Sequence, residues 1–250
     1  MEILYTGAVW EGYFPDVVFH HTKIILKKDS EFYYASLNER IKEEDIDVCQ
    51  LKCKRIPDHH IYADAPDNFL RAPNPLPSDV YVKTPMLIGY NDTFTASDIP
   101  SLTLSEIRIL EVLKQYPHPN IVQYFGCLET DNTIRGICYA KHGITLGDHL
   151  ERGYPLDVDK CLSGIEKAVS HLHSLRLVHN DLTPYNIMLN DRNEPILIDF
   201  DSCLYEGEKI RKGGTPEWSD CGAKIASFSN DEFALERIRE YLAAYKSDSV

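Results

Sequence analysis

The sequence predicts an α+β fold, on three observations. Short apolar runs of strand character occur at Val17–Leu26, Asp79–Lys83, Ile121–Phe125 and Ile134–Ala140, apolar stripes at helical spacing occur from about Thr103 to Leu113 and at Cys161–Leu175 and Asp231–Tyr245, and 43% of the 250 residues are hydrophobic. That is enough to bury a sizeable core as one domain or as two closely packed lobes. The charge balance, 26 Lys+Arg against 39 Asp+Glu, gives −13 with histidine neutral. An acidic surface argues against a long nucleic-acid track, because such a track must neutralise phosphates, but it leaves room for a local nucleotide pocket. No run of about 18 apolar residues occurs and Met1-Glu2-Ile3-Leu4 is not a basic leader, so neither a membrane span nor a secretory signal is expected. The expected setting is cytoplasmic or nuclear, the cytoplasm first. Seven cysteines, Cys49, Cys53, Cys127, Cys138, Cys161, Cys203 and Cys221, are an odd number scattered through mixed contexts, which reads as reduced thiols with no structural zinc site.

The elements follow in chain order. Val17 to Leu26 reads as a strand closed by Lys27-Lys28-Asp29, and Phe32 to Cys53, rich in Glu, Lys, Ile and Leu, reads as helix-prone. Ile56 to Asp79 holds Pro57, Pro66, Pro73, Pro75 and Pro77, which remove backbone donors, so a covering loop is expected there. Residues 1–79 are accordingly expected to form a divergent N-terminal part packed on a core of residues 80–250. Asp79 to Lys83 predicts a short strand stopped by Thr84-Pro85, and a helix starts near Thr103 or Ser105 and ends at Tyr116-Pro117. Strands are expected at Ile121–Phe125 and Ile134–Ala140, a short helix at Thr145–Leu150, and a core helix at Cys161–Leu175. Leu177-Val178, Ile187-Met188-Leu189 and Ile196-Leu197-Ile198 are brief strands around a polar loop at His179–Asn186, and the last helix runs from about Asp231 to Tyr245. The pairs His20-His21 and His59-His60 read as strand or loop surface, without partners at metal spacing.

The sharpest chemical pattern is His179-Asn180-Asp181-Leu182-Thr183-Pro184-Tyr185-Asn186, with Asp199 thirteen residues further on behind an apolar strand. An aspartate at a strand end can hold Mg2+ on ATP phosphates, an asparagine can add a neutral oxygen ligand, and a second aspartate can orient an attacking hydroxyl and take its proton. Asp199, Asn186 and Asp181 fit those tasks. Lys83 on a strand and Glu106 on the next helix could supply an ion pair for the inner phosphates.

These residues carry a resemblance to the eukaryotic-type protein kinase domain. Val80-Tyr81-Val82-Lys83 looks like its strand-lysine motif, and Leu104 to Leu110 looks like the helix presenting the partner Glu106. His118-Pro119-Asn120-Ile121-Val122-Gln123-Tyr124-Phe125-Gly126 is similar to the link from that helix to the next strand. His179–Asn186 matches the catalytic loop and Ile198-Asp199-Phe200-Asp201 the metal-binding motif except at its last position. Gly214-Thr215-Pro216-Glu217-Trp218 resembles the end of the activation segment, and Asp231–Leu235 the start of a helix anchoring the catalytic loop. The resemblance keeps chain order over residues 80–235 and implies a bilobal protein-kinase-like fold with a divergent N-terminal lobe and a shortened helical C-terminal lobe, the lobes dividing the core at about residue 140. It implies ATP and Mg2+ as cofactors, Asp181 as catalytic base, Asn186 and Asp199 as metal ligands, Lys83 and Glu106 at the nucleotide, Thr215 against Asp181, and a protein serine or threonine hydroxyl as acceptor. The compact pattern also resembles kinase-like proteins of filamentous fungi.

Departures from the family pattern qualify that expectation. No glycine occurs between Gly12 and Gly89, so no recognisable Gly-rich loop precedes Lys83; a strand pair near residues 17–35 is an alternative roof, with Lys27 as a second lysine candidate. Asn180 stands at the arginine position of the loop, which removes the usual partner of a phosphate on the activation segment. Thr183, grouped with the catalytic residues by its place, stands where a lysine near the transferred phosphate is usual, so the site has one cation fewer. Asp201 replaces a glycine and either restricts the turn or adds an acid near the metal. The chain ends soon after Leu235, where later helices normally help position peptides, and a partner completing the lower lobe is conceivable. Two alternatives therefore stand beside a protein kinase of low activity: a pseudokinase acting as a nucleotide-binding or protein-interaction module, and a small-molecule kinase sharing the His-x-Asp-x-x-x-x-Asn loop.

Overall fold

A computed structural model describes residues 1–11, 16–92, 98–220 and 222–248. The chain forms two compact units, one from Met1–Ala65, Thr84–Thr103 and Thr130–Arg135, the other from Pro66–Lys83, Leu104–Glu129 and Gly136–Val250. The division thus differs from the boundary expected after residue 79. It runs through the proline-rich segment, whose second half belongs with the second unit, while residues 84–103 belong with the first.

The first unit is built on an antiparallel sheet of β1 (Glu2–Glu11), β2 (Val18–Lys28), β3 (Glu31–Leu37) and β4 (Lys54–Ile56), in that order. Ile24, Ile25 and Leu26 of β2 are fully buried in succession because both sheet faces are covered. Ile24 and Leu26 pack with Ala35 and, from the following loop, Val48 and Leu51; Ile25 faces the other way onto Ile56, Ile61, Leu87, Tyr90 and Ile99. The helix expected over Phe32–Cys53 is not formed. Phe32-Tyr33-Tyr34 instead continue a hairpin, pairing with Lys27, Leu26 and Ile25 on one side and with Ile56, Arg55 and Lys54 on the other. Two single 3-10 turns at Glu43–Asp45 and Val48–Gln50 follow. Aromatic side chains suit a pleated, half-buried surface better than a helix, and the pairing partners lie on both sides of them.

Lys23 is the chief surprise of this unit, since its side chain is 1% exposed. Its Nζ donates to Asp92 Oδ2 at 2.7 Å and lies 4.7 Å from the centre of the Tyr34 ring, so the buried charge is compensated twice. His21, expected at the surface, is buried with Nε2 3.3 Å from the same carboxylate, and His60 Nδ1 lies 2.7 Å from the Tyr90 hydroxyl. Cys221 lies outside the described residues; the six described cysteines are free thiols, four of them buried.

The second unit contains β5 (Val80–Lys83) and most of α1 (Asp98–Gln115), β6 (Tyr124–Thr130) and β7 (Thr133–Ala140), with β7 central between β5 and β6. Helix α1 starts earlier than Thr103 because Pro100 sits within its first turn, where a missing N–H costs nothing. Then come β8 (Ile144–Thr145), α2 (Leu146–Glu151), α3 (Val158–Ser174), β9 (Leu177–Val178), β10 (Ile187–Leu189), β11 (Pro195–Leu197), β12 (Leu204–Tyr205) and α4 (Phe228–Asp248). The small sheets β11-β10-β8 and β12-β9 bracket the polar loop. Asp157 caps α3, accepting from the Lys160 amide at 3.0 Å, and Cys161, Ile165, Ala168, Val169 and Leu172 form its buried stripe against α4, which contributes Ile238 and Leu242. Among the described residues no helix is long and apolar enough to cross a membrane.

The proline-rich stretch runs beside β6 as a covering strap. Ala72 N donates to Cys127 O at 2.9 Å and Cys127 N to Leu70 O at 2.8 Å, while the Arg71 guanidinium is paired with Glu129 and donates to the carbonyls of Pro66 and Phe69. Gly126 makes this approach possible: its φ is +120°, and a Cβ there would stand 2.6 Å from Ala72 N and Arg71 C. Gly126→Ala is expected to destabilise the chain by about 2–4 kcal/mol, since neither backbone can yield without breaking the paired bonds. Urea denaturation measures this; an unchanged midpoint would mean that the strap contributes nothing to the fold.

Candidate active site

Lys83, at the end of β5 opposite Ile137 of β7, is held by carboxylates from two directions. Its Nζ donates to Glu106 Oε1 and Oε2 at 2.8 and 2.9 Å, and to Asp199 Oδ1 at 2.7 Å; Asp201 Oδ2 is 3.8 Å away. Glu106 is only 3% exposed and takes a further bond, at 2.7 Å, from the hydroxyl of Tyr139 on β7. Burial pushes the Glu106 carboxyl above its usual range, against the pull of Lys83 and the tyrosine bond. Burial alone would lower Lys83, but the charges of Glu106, Asp199 and Asp201 outweigh it and raise the ammonium's pKa. Lys83 is therefore a fixed cation at neutral pH. Lys27, the other lysine candidate, has its ammonium over the Phe32 ring at 5.9 Å in the first unit.

Asp199 follows β11 with φ of +60°, a left-handed conformation that aspartate tolerates better than most residues. Burial opposes its ionisation, yet the Lys83 charge and hydrogen bond, with Lys212 adding to them, hold its carboxyl below the usual range. Phe200 is fully buried and packs on His179, with ring centres 5.2 Å apart. His179 Nε2 donates to Ile198 O at 3.0 Å, leaving Nδ1 to accept from the Asp181 amide at 3.3 Å. Thus His179 is a packing and orienting residue between the two aspartates.

The polar loop hangs from Asp231 near the start of α4. This fully buried carboxylate accepts from the amides of His179 and Asn180, both at 2.9 Å, and from His173 Nε2 at 3.0 Å. Asn180, also in the left-handed region at φ of +63°, donates to the carbonyls of Val178 and Ser202 at 3.1 Å and accepts from Asn230 at 2.9 Å. The residue at the family's arginine position is thereby committed to the backbone. Thr183 Oγ1 accepts from the amides of Tyr185 and Asn186 at 3.2 and 3.1 Å, and the side chain is buried. Its hydroxyl shapes the loop instead of facing the Asp181 carboxylate.

Asp181 and Asn186 do meet. Asn186 Nδ2 donates to Asp181 O at 2.9 Å and to Oδ2 at 3.1 Å, which turns the amide nitrogen toward the loop and makes its oxygen the group suited to a cation. Asp181 Oδ1 accepts from Thr215 N at 2.8 Å and Oγ1 at 2.9 Å, so the Gly214–Trp218 segment is docked on this carboxylate. Asp201, whose part was open in the sequence, adds an acid: its Oδ2 is 2.6 Å from Lys212 Nζ, and Oδ1 accepts from Ser202 Oγ at 3.1 Å. Tyr139 and Lys212 had no signal in the sequence beyond an aromatic on an apolar strand and a basic residue in a polar stretch.

The model of the protein kinase domain matches residues 91–219, more than half of the chain. The chain belongs to the protein kinase domain family. Among similar curated proteins are Serine/threonine-protein kinase TAO3 of Xenopus laevis, 27% identical over 115 residues, and Mitogen-activated protein kinase kinase 7 of Arabidopsis thaliana, 34% identical over 105 residues. Death-associated protein kinase 2 of Mus musculus is 33% identical over 121 residues. These matches cover 45%, 40% and 44% of this chain and 13%, 34% and 33% of the relatives, so the chain spans at most about a third of their lengths.

The carboxylate of Asp199 and the amide oxygen of Asn186 are hard oxygen donors, a set that fits Mg2+ and not a softer metal. The pH dependence of stability checks the charge state assigned to Asp199. Because its folded pKa lies below its unfolded value, its ionisation stabilises the fold fully above about pH 4, and this contribution is lost as pH falls through the folded pKa. The difference in urea midpoint between wild type and Asp199→Asn should therefore be constant near neutrality and change progressively below about pH 4. A difference that stays flat down to pH 2 would contradict the pairing with Lys83.

Proposed function

We propose that the second unit catalyses transfer of the terminal phosphate of ATP, with Mg2+, to a serine or threonine hydroxyl of a protein. The observation carrying this reading is a pair of side-chain groups, Lys83 bonded to Glu106 and Asp199 at 2.7 to 2.9 Å and Asn186 bonded to Asp181 at 3.1 Å, with the backbone joining Ile198, next to Asp199, to Asn186 at 3.0 Å. Family membership and the serine/threonine kinases among the relatives support the reaction class and the acceptor. Free, buried thiols suit the reducing environment of cytoplasm or nucleus.

Bound ATP with Mg2+ supplies the phosphoryl donor and its charge neutralisation. The chain's own residues do the rest. Lys83, kept charged and aimed by Glu106 and Tyr139, offers a fixed cation for inner phosphate oxygens. Asp199 and Asn186 would hold the metal. Asp181, oriented by Asn186 and Thr215, accepts the proton of the acceptor hydroxyl, and Asp231 fixes the loop that carries it. Thr183 acts here as a positioning residue through the amides it holds.

Transfer of labelled terminal phosphate from ATP to the protein itself or to a protein mixture should require Mg2+. Asp181→Ala should lower the rate by about 10²–10⁴-fold through loss of the base, and Asp199→Ala should abolish detectable transfer. Nucleotide binding without any transfer, at high protein concentration, would instead identify a binding module; transfer to small hydroxyl compounds and not to proteins would identify a small-molecule kinase.

A further inference from the structure

We infer that Lys212 is the second phosphate-facing cation of this site and that Asp201 is its positioning residue, an inference that rests on the phosphotransferase reading above. A site that stabilises a transferring phosphoryl group needs fixed positive charge where the oxygens gather. Thr183 brings none: its side chain is uncharged, and its oxygen accepts from two backbone amides. Lys83 is held from behind by both oxygens of Glu106, which ties it to the inner part of the site.

Lys212 reaches Asp201, two residues after Asp199, from the segment that follows β12. Its Nζ is 2.6 Å from Asp201 Oδ2, and that oxygen is 3.8 Å from Lys83 Nζ, so one carboxylate bridges two ammonium groups. The Lys212 charge also acts on Asp199, where it helps to keep the carboxyl ionised. The backbone leading to it is pinned: Gly207 N donates to Ala226 O at 2.8 Å, Ala226 N to Glu208 O at 2.8 Å, and Ile210 N to Lys224 O at 3.0 Å. The side chain itself is 32% exposed, which leaves the ammonium free to exchange a carboxylate for a phosphate oxygen. A glycine at position 201 could not hold it, so the substitution that departs from the family pattern and the lysine that follows it belong to one device.

In the step this serves, the bond between the terminal phosphorus and its bridging oxygen breaks, with the electron pair leaving on the nucleoside diphosphate. A new bond forms from the acceptor oxygen, whose proton passes to Asp181. Lys212 is neither consumed nor deprotonated; it balances charge on the phosphoryl oxygens.

The test is equilibrium binding of a non-hydrolysable ATP analogue and of ADP, each with Mg2+, by titration calorimetry on the full chain, beside turnover. Lys212→Met should weaken the ATP analogue about tenfold while leaving ADP unchanged, and lower turnover by about 10²-fold; Lys212→Arg should restore the discrimination. Asp201→Asn should lose part of the same discrimination. Equal binding of both nucleotides by wild type and Lys212→Met, with unchanged turnover, would overturn the inference alone, and so would an equal loss for both nucleotides. A wild-type chain that binds neither nucleotide would overturn the phosphotransferase reading and this inference with it.

Discussion

The second unit depends on one electrostatic constraint: a lysine at the end of a short strand that must share its charge among carboxylates from a helix and from a strand end. Glu106 is almost wholly buried, and an ionised carboxylate there is tolerable only while Lys83 and the Tyr139 hydroxyl satisfy it. The same ammonium takes up Asp199, whose left-handed backbone turns its carboxylate toward Lys83. Helix α1, the central strand β7 and the segment after β11 are thus tied at one point. Breaking one partner leaves a buried charge unpaired, whereas replacing all of them with apolar groups would cost little stability and remove the chemistry. Net stabilisation is therefore not what such a cluster contributes; it fixes where charge sits.

A second buried carboxylate governs the loop. Asp231 has no exposed surface and receives two consecutive loop amides, so His179 and Asn180 cannot shift without orphaning donors inside the protein. The apolar faces of α3 and α4 explain why Asp231 stays where it is. Ile165, Val169 and Leu172 on one helix and Ile238 and Leu242 on the other fill the interior, and Asp231 is carried on the same rigid element. Packing thereby determines the position of Asp181 through a chain of backbone bonds, without touching its carboxylate. The loop keeps its geometry although Asn180 is no arginine, because the asparagine amide reaches Val178 and Ser202 directly.

How much of this was readable in the sequence depended on how local each cause is. The α3 stripe, the brief strands beside the polar loop and the stop at Tyr116-Pro117 were legible because period and turn chemistry act over a few residues. Family motifs in chain order brought Lys83, Glu106, Asp181, Asn186, Asp199 and Thr215 together as candidates, though only coordinates could show which atoms meet. Strand β1 and the β3 segment were missed or misread since their state is decided by partners in β2 and β4, and Glu and Lys near residues 39–54 imitate helix composition. Lys23 was illegible for a related reason: its counter-charge, Asp92, is 69 residues away. His21 followed it inward.

Asp201 shows why a departure from a pattern carries more information than a match. Glycine would have left the turn after Phe200 without a side chain, and the reading from sequence could go no further than strain or acidity. The structure decides between them, because Asp201 does not lie among the residues with positive φ and its carboxylate is fully used by Lys212, Ser202 and, more distantly, Lys83. The acid therefore couples Lys212 to the Lys83–Glu106 pair through charge. Three carboxylates, Asp199, Asp201 and Glu106, are set against two ammonium groups, Lys83 and Lys212, a formal excess of one negative group. An added positive charge near Asp199 would weaken the hold of that carboxylate on Lys83, the lysine it bonds directly.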